Sequence, residues 1–236
     1  MNLAFSNDKN EQYVISYLTI RKAVGILGMA LPFALIVGHL FFQKPCAFPA
    51  SISHFYYTDM GNLFVGTLCA VSLFLFTYNG YDRMDKMASK LAGSFALLVA
   101  VFPTNYGANN NGDCSRIVDG ENIFSNTTHY LAATLLFSTF AFFSLVLFTK
   151  TNHTAPLCGP KKSRNTIYKV CGWVIIFCIL SIALFSLIPF LEEQFSQYKP
   201  TFVFETLALL AFGFSWLIKG ETFFKDDKLL INQQHP

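Results

Sequence analysis

Six long apolar segments, separated by short polar stretches, account for most of the chain. We predict that they are membrane-spanning helices at about 23–42, 61–78, 87–102, 130–149, 167–188 and 201–218. A helix needs roughly 20 apolar residues to cross about 30 Å of hydrocarbon. The pattern therefore predicts an all-α fold, a six-transmembrane-helix bundle that forms one membrane domain over residues 1–236.

The basic residues are unevenly distributed between the two sides of this bundle. All but three of the 17 Lys and Arg residues fall in the N-terminal segment, in the loops after the second and fourth spans, or in the tail. The exceptions are Lys44, Arg116 and Lys199. Because cytoplasmic segments carry an excess of Lys and Arg, residues 1–20 and the tail 219–236 are predicted to be cytoplasmic. An odd number of spans would place the basic tail outside, so the predicted number is six.

The composition agrees with a membrane protein. Hydrophobic residues make up 53% of the chain and charged residues only 13%, whereas a soluble domain has about 25% charged residues. The net charge is +3, but the basic residues flank the spans instead of forming a tract, so no nucleic-acid partner is predicted. Membrane lipids are the predicted partners, and the predicted location is a bacterial inner membrane, with multiple passes.

The predicted topology brings several polar side chains to the outer face of the bundle. They are His39, Ser53, His54, Tyr57, Asp59, His129 and Glu205. We predict that they form an outward-facing polar pocket that binds a ligand. Glu205 lies one turn inside the last span, and a carboxylate in hydrocarbon is costly. We therefore expect it to face the bundle interior and to contact His129 or His39.

Each of these residues also has a purely structural interpretation. As interfacial residues, His39 and His129 would be hydrated or would contact lipid headgroups, and Tyr57 would belong to an aromatic belt. Asp59 precedes the second span, where a helix N-cap is expected. The sequence leaves these interpretations open.

Two functions from different classes fit the pattern, so whether the protein is an enzyme stays open. The first is binding of a lipid or other amphiphile without a cofactor, since Phe-rich spans surround a few convergent polar groups. The alternative is a metal-dependent hydrolase of a lipid ester or amide. There, His39, His54 and His129 would bind zinc, and Glu205 or Asp59 would activate water. A third hypothesis is a haem or quinone protein with His39 and His129 as axial ligands.

Two cysteines, Cys46 and Cys114, fall in predicted external loops, where a disulfide can persist. A bridge between them would hold the third loop over the first. The alternative is two free thiols, because only geometry decides whether they meet.

A compact charged turn follows the second span. We expect its carboxylates, Asp82 and Asp85, to pair across the inner face with Lys161, Lys162 or Arg164. Such a contact would be structural.

Three stretches resemble known membrane proteins. They are Ser51–Asp59 (SISHFYYTD) running into LFVG, Gly80–Asp85 (GYDRMD) followed by 95–104, and 204–221 from FETLA through GFSWLIKGE. They resemble a family of bacterial six-span inner-membrane proteins with no assigned activity, over most of the chain. More distantly, the Ile-Ser pair and the six-span plan are similar to the DRAM-like family, which is associated with autophagy and lipid-related processes.

A weaker similarity is to alkaline-ceramidase-type membrane hydrolases. It would imply a zinc site built from Ser51 or Ser53, from Asp59 and from the three histidines named above. This chain departs from that family in having six predicted spans instead of seven and no His-x-x-x-His pair in a late helix.

Overall fold

Helices make up nearly all of the structure. The computed structural model describes residues 2–42, 47–80, 82–105, 122–150 and 160–222. Within these ranges the α-helices are α1 (Asn2–Phe42), α2 (Gly61–Thr77), α3 (Arg83–Val101), α4 (Ile123–Phe142), α5 (Pro160–Leu187), α6 (Pro189–Phe195) and α7 (Pro200–Lys219). Two 3-10 segments, Ser53–Tyr57 and Ser196–Tyr198, and a π-helical turn, Phe143–Leu147, complete the elements. No strand occurs in the described ranges, so the all-α prediction is confirmed for them.

Among the described residues, four helices are long and apolar enough to cross a membrane. They are Tyr17–Phe42, Ile123–Leu147, Lys161–Leu187 and Pro200–Lys219. The helix α2 is apolar but shorter, with 17 residues, and α3 carries several charged residues in its first two turns. Four such helices are compatible with a multi-pass membrane protein.

Capping residues make some helices longer than the apolar segments that predict them. The helix α4 begins at Ile123 instead of 130, because the side chain of Asn122 accepts a hydrogen bond from the amide of Ser125 at 3.1 Å. In the same way Asp82 caps α3 and accepts from the amide of Asp85 at 2.9 Å. Hydrophobicity therefore locates a helix, whereas its polar cap sets where it begins.

The long helices form a closed ring in chain order. Each of α1, α2, α3 and α4 packs against the next helix in the chain, α5 packs against α7, and α7 packs against α1. Neighbours therefore run in alternating directions, as in an up-and-down bundle. One end of the bundle gathers Arg21, Asp82, Lys150 and Lys219, and we call it the basic end. The other, which carries segment 47–60, is the loop end.

Small residues allow the closest helix contacts. A Cβ atom added to Gly25 of α1 would lie 2.8 Å from the carbonyl oxygen of Gly213 of α7, so these two backbones approach directly. On α3, alanines at four-residue intervals form a buried stripe, at positions 88, 92, 96 and 100. Larger side chains at these positions would separate the helices.

Large apolar side chains cover much of the outside of the bundle. Phe41 is 78% exposed, Trp173 63% and Leu187 79%. So much exposed apolar surface is unusual for a soluble monomer and fits a protein surrounded by lipid.

At the basic end, the carboxylates of the charged turn pair with Lys150. Its Nζ lies 2.6 Å from Asp82 and 3.4 Å from Asp85. The hydrogen bond from Lys150 holds the pKa of Asp82 below its ordinary value. A cross-face contact of these carboxylates therefore exists, and it is made by Lys150, a partner that we did not name from the sequence.

Candidate functional site

The segment 47–60 folds into the loop end of the bundle. Its apolar side chains explain why, since Ile52, Phe55 and Tyr57 are 4%, 0% and 5% exposed. The 3-10 turn Ser53–Tyr57 is closed by Thr58, whose hydroxyl donates to the carbonyl of Phe55 at 2.7 Å. Burial of these side chains places the neighbouring Ser53 and His54 against the surrounding helices.

Glu205 of α7 holds the beginning of this turn. Its carboxylate accepts a hydrogen bond from the backbone amide of Ile52 at 2.6 Å. The amide of Phe202 donates to the carbonyl of Ala50 at 3.1 Å, one turn earlier on α7. The first amides of a helical turn lack partners within the turn, and this explains why the carboxylate contacts a backbone amide. The predicted histidine partners of Glu205 are thus replaced by Ile52.

His129 of α4 joins the turn to the segment after α3. Its Nδ1 lies 2.7 Å from the carbonyl oxygen of Phe102, and its Nε2 lies 2.9 Å from the hydroxyl oxygen of Ser53. A carbonyl oxygen only accepts hydrogen bonds, so Nδ1 carries the proton. Nε2 is then the acceptor for the Ser53 hydroxyl. A hydroxyl that faces an imidazole whose tautomer is fixed by a third group is an arrangement used in nucleophilic catalysis.

His54 and Tyr57 contact the same segment after α3. The Nε2 atom of His54 lies 3.3 Å from the carbonyl oxygen of Asn105, and the Tyr57 hydroxyl donates to the carbonyl of Thr104. Burial lowers the pKa of His54, and the nearby His129 and Lys199 lower it further. Burial also raises the pKa of Tyr57. Both side chains are therefore uncharged at neutral pH.

The remaining predicted residues lie apart from this group. His39 is 5% exposed and packs edge-on against the rings of Phe48 and Phe55, with centroids 5.2 and 5.9 Å away. Asp59 is exposed. The predicted N-cap role of Asp59 is wrong, because α2 begins at Gly61 and Met60 occupies the cap position without a side-chain hydrogen bond.

The described residues contain no group of three His, Cys, Asp or Glu side chains that could hold a metal ion. The zinc set of His39, His54 and His129 is thus not assembled there, because His39 is held among aromatic rings. The candidate disulfide of Cys46 and Cys114 lies outside the described residues.

A small pocket also opens at the loop end, between α5 and the start of α7, and we call it the polar pocket because four of its seven lining residues are polar. It has a volume of about 100 Å³. Its lining consists of Ala50, Phe185, Ser186, Ser196, Lys199, Pro200 and Thr201. Lys199 donates to the carbonyl of Phe48, and burial lowers the pKa of its amine. One cation and three hydroxyls beside the first turn of α7 suit an anionic or hydrogen-bonding group.

A larger apolar cleft separates α4 from α5 at mid-height. Its volume is about 390 Å³, within the usual range of small-molecule sites. It is lined by Ser138, Ala141, Phe142, Leu145, Val146, Ile176, Ile179 and Leu180. The π-helical turn forms part of its wall, and such turns are frequent at functional sites. Gly172 of α5 faces Leu145 closely and so narrows the cleft toward the basic end.

The helix α5 relates the cleft to the polar pocket. Ile179 lines the cleft and Ser186 lines the pocket. They are seven residues apart, hence on the same face of the helix and about 10 Å apart along its axis. The polar pocket therefore lies nearer to the loop end of the bundle than the apolar cleft does.

Comparison of the chain with protein-family models, with curated proteins and with solved structures finds no match. The resemblances drawn from the sequence stay predictions.

Sequence reasoning missed the pocket around Lys199 and the cleft. Lys199 had a signal, because it is one of only three basic residues on the predicted outer side and it precedes Pro200, a good first residue for a helix. The cleft had none, since its lining residues are ordinary members of two apolar spans.

Proposed function

We propose that this protein is a six-span inner-membrane protein with both termini in the cytoplasm, and that it binds a lipid or other amphiphile. The polar headgroup would occupy the pocket around Lys199, and the acyl chain would lie in the cleft between α4 and α5. The single observation that carries the proposal is that α5 lines both sites, with Ile179 in the apolar cleft and Ser186 in the polar pocket about 10 Å farther along its axis, toward the loop end. An amphiphile has the same order of polar and apolar parts.

The chemistry of the surroundings supports this proposal. Tyr198, which directly precedes Lys199 in the chain, is 66% exposed. Trp and Tyr are enriched where a membrane meets water, which supports a pocket at the depth of lipid headgroups. The cleft is open to the exterior of the bundle, from which an acyl chain would enter.

The test is binding of a fluorescent lysophosphatidylglycerol to the delipidated chain in an uncharged detergent. Ser138→Trp fills the cleft from an exposed position, and Leu131→Trp places the same bulk two turns away on the same helix, at a residue 61% exposed. We expect Ser138→Trp to weaken binding about tenfold or more and Leu131→Trp to leave it unchanged. Equal affinities for the two variants would contradict a chain in the cleft.

The headgroup contact has its own test. Lys199→Gln removes the cation of the pocket and should weaken binding of lysophosphatidylglycerol more than binding of lysophosphatidylcholine, whose headgroup has no net charge. A charge-assisted hydrogen bond is about twice as strong as a neutral one. If both lipids lose affinity equally, Lys199 shapes the pocket without recognising the headgroup charge.

A second candidate function is acyl transfer or ester hydrolysis through Ser53. The observation that favours it is the pair of His129 contacts, 2.9 Å to the Ser53 hydroxyl and 2.7 Å to the Phe102 carbonyl. His129 Nε2 would take the hydroxyl proton while Ser53 Oγ attacks an ester carbonyl carbon, and the alcohol would leave with that proton. This candidate replaces the metal-dependent chemistry predicted from the histidines.

A fluorophosphonate probe separates this candidate from simple binding. Reaction would form a bond between Ser53 Oγ and phosphorus, release fluoride and transfer the hydroxyl proton to His129. We expect labelling of the native chain, loss of labelling in Ser53→Ala and strong loss in His129→Gln. Labelling that persists in Ser53→Ala, or none in the native chain, would leave the Ser53–His129 contact a structural hydrogen bond.

A further inference from the structure

A third cavity lies at the basic end of the bundle, at the opposite end from the proposed headgroup pocket. Its volume is about 70 Å³. Four segments line it, and their charged residues are Arg21, Lys150, Lys161, Arg164, Lys219 and Glu221. One water molecule needs about 10–15 Å³ of such space, so a tetrahedral oxyanion fits.

The lining is strongly basic. It contains five Lys and Arg side chains and a single carboxylate, that of Glu221. The basic residues come from α1, α5, α7 and the segment after α4, and so converge only in the folded protein. Positive charge along the cytoplasmic face is expected from the topology rule alone. That rule does not require the side chains to surround a common cavity.

Arg21 is the unusual member of this group, because it is 2% exposed. Its guanidinium donates to the carbonyl of Lys219 and to the hydroxyl of Tyr78, both at 3.2 Å, and its central carbon lies 4.1 Å from the centroid of the Tyr17 ring. These contacts fix the plane of the guanidinium. Burying a charge is expensive, so a rigid, buried arginine at a cavity indicates a built site.

The surrounding contacts hold the lysines in place as well. Lys219 Nζ lies 3.4 Å from the carbonyl oxygen of Phe148 and over the rings of Phe148 and Tyr168. Lys150 is held by the carboxylates of Asp82 and Asp85. Lys161 and Arg164 of α5 are half-buried at the opposite wall. Arginine forks and lysine ammonium groups together are the residues that proteins use to bind phosphate.

We propose that this cavity binds a phosphate group, either as free phosphate or as the phosphomonoester headgroup of an anionic lipid. The site is independent of the amphiphile site at the loop end, and it would stand if that function failed. Its ligand carries about two negative charges, which suits a lining rich in cations. Lys161 and Arg164 would approach the phosphate from α5, and Arg21 would bind from the buried side.

The test uses the full chain in an uncharged detergent and isothermal titration with two probes, inorganic phosphate and a short-chain phosphatidic acid. The double variant Lys161→Gln/Arg164→Gln removes two charges from the cavity. Its matched control, Arg83→Gln/Lys86→Gln, removes two charges from exposed positions of α3 at the same end. We expect the cavity variant to weaken binding about tenfold or more and the control to change it less than about twofold.

The two probes distinguish the sources of phosphate. Binding of inorganic phosphate that is lost in the cavity variant supports a site for the free anion. Binding of phosphatidic acid alone, lost in the same variant, supports a lipid headgroup site. Equal weakening in both double variants would show diffuse electrostatic attraction, and absence of binding by either probe would also overturn the proposal. Lys161→Arg/Arg164→Lys keeps both charges and should retain binding, which controls for folding.

Discussion

At the scale of single residues, the loop end is held by polar side chains that bond to backbone groups. Glu205 accepts from the amide of Ile52, His129 contacts the carbonyl of Phe102, and Tyr57 donates to the carbonyl of Thr104. Irregular backbone at the edge of a membrane needs such partners, because unsatisfied polar groups are costly there. Side chains that the sequence marks as a ligand site thus also stabilise the turn.

Substitution of Glu205 tests this stabilising role. Glu205→Ala leaves the buried Ile52 amide without its acceptor, which costs about 1–3 kcal/mol. In a chain of this size each kcal/mol lowers Tm by about 2–4 °C. Glu205→Gln keeps a carbonyl oxygen at the same place and should retain most of the stability. Thermal unfolding in detergent measures the difference, and equal losses for Ala and Gln would mean that the charge matters more than the acceptor.

The buried imidazole of His54 predicts a dependence of stability on pH. Burial holds its pKa in the folded protein below the unfolded value of about 6.5. Below that pH the unfolded chain binds more protons than the folded one, so the free energy of unfolding falls as the pH drops. The stabilisation is complete above about pH 6.5. His54→Gln should make Tm fall less steeply between neutral and acid pH. An unchanged slope of Tm against pH would mean that other groups cause the fall.

At the scale of elements, the sequence predicts where the helices are but not how they face one another. The last span, predicted at 201–218, is the helix Pro200–Lys219, and the second, predicted at 61–78, is Gly61–Thr77. Hydropathy is a local property of the sequence, so the length of an apolar run is enough to locate a helix. The hydrogen bond between His129 and Ser53 depends on how α4 is rotated about its axis and on the 3-10 turn that carries Ser53. The periodicity of apolar residues in the sequence predicts neither.

The contact between α1 and α7 gives an element-scale prediction with a matched control. A Cβ atom at Gly213 would lie 2.5 Å from the carbonyl oxygen of Gly25. Gly213→Ala should therefore destabilise the bundle, by about 1–3 kcal/mol if it behaves as overpacking does. Gly66 of α2 has open space around its Cβ position, and Gly66→Ala should be neutral or stabilise by up to about 1 kcal/mol. Unfolding transitions that shift in the same direction for both would contradict the close contact.

At the scale of the whole molecule, the four-span and six-span topologies differ in whether the hairpin of α2 and α3 crosses the membrane. The hydroxyl of Ser72 donates to the carbonyl of Gly93 at 2.7 Å, and both residues are fully packed between the two helices. A 17-residue helix is about 25 Å long, a little short of the roughly 30 Å of hydrocarbon. The turn that joins α2 and α3 carries Asp82, which pairs with Lys150 at the basic end. Charged groups in such a turn favour water over hydrocarbon, and so favour a hairpin that crosses completely.

Labelling of single cysteines tests this topology. In a chain whose six native cysteines are replaced, Asp59→Cys and Asp82→Cys place one thiol at each end of α2, both at exposed positions. A membrane-impermeant maleimide added to spheroplasts should label the first directly and the second only after the membrane is opened. A hairpin whose turn stays within the membrane would instead leave the second thiol unlabelled even after the membrane is opened. The phosphate cavity would keep its side of the membrane in either case, because α1, α5 and α7, which supply most of its lining, are long and apolar enough to cross by themselves.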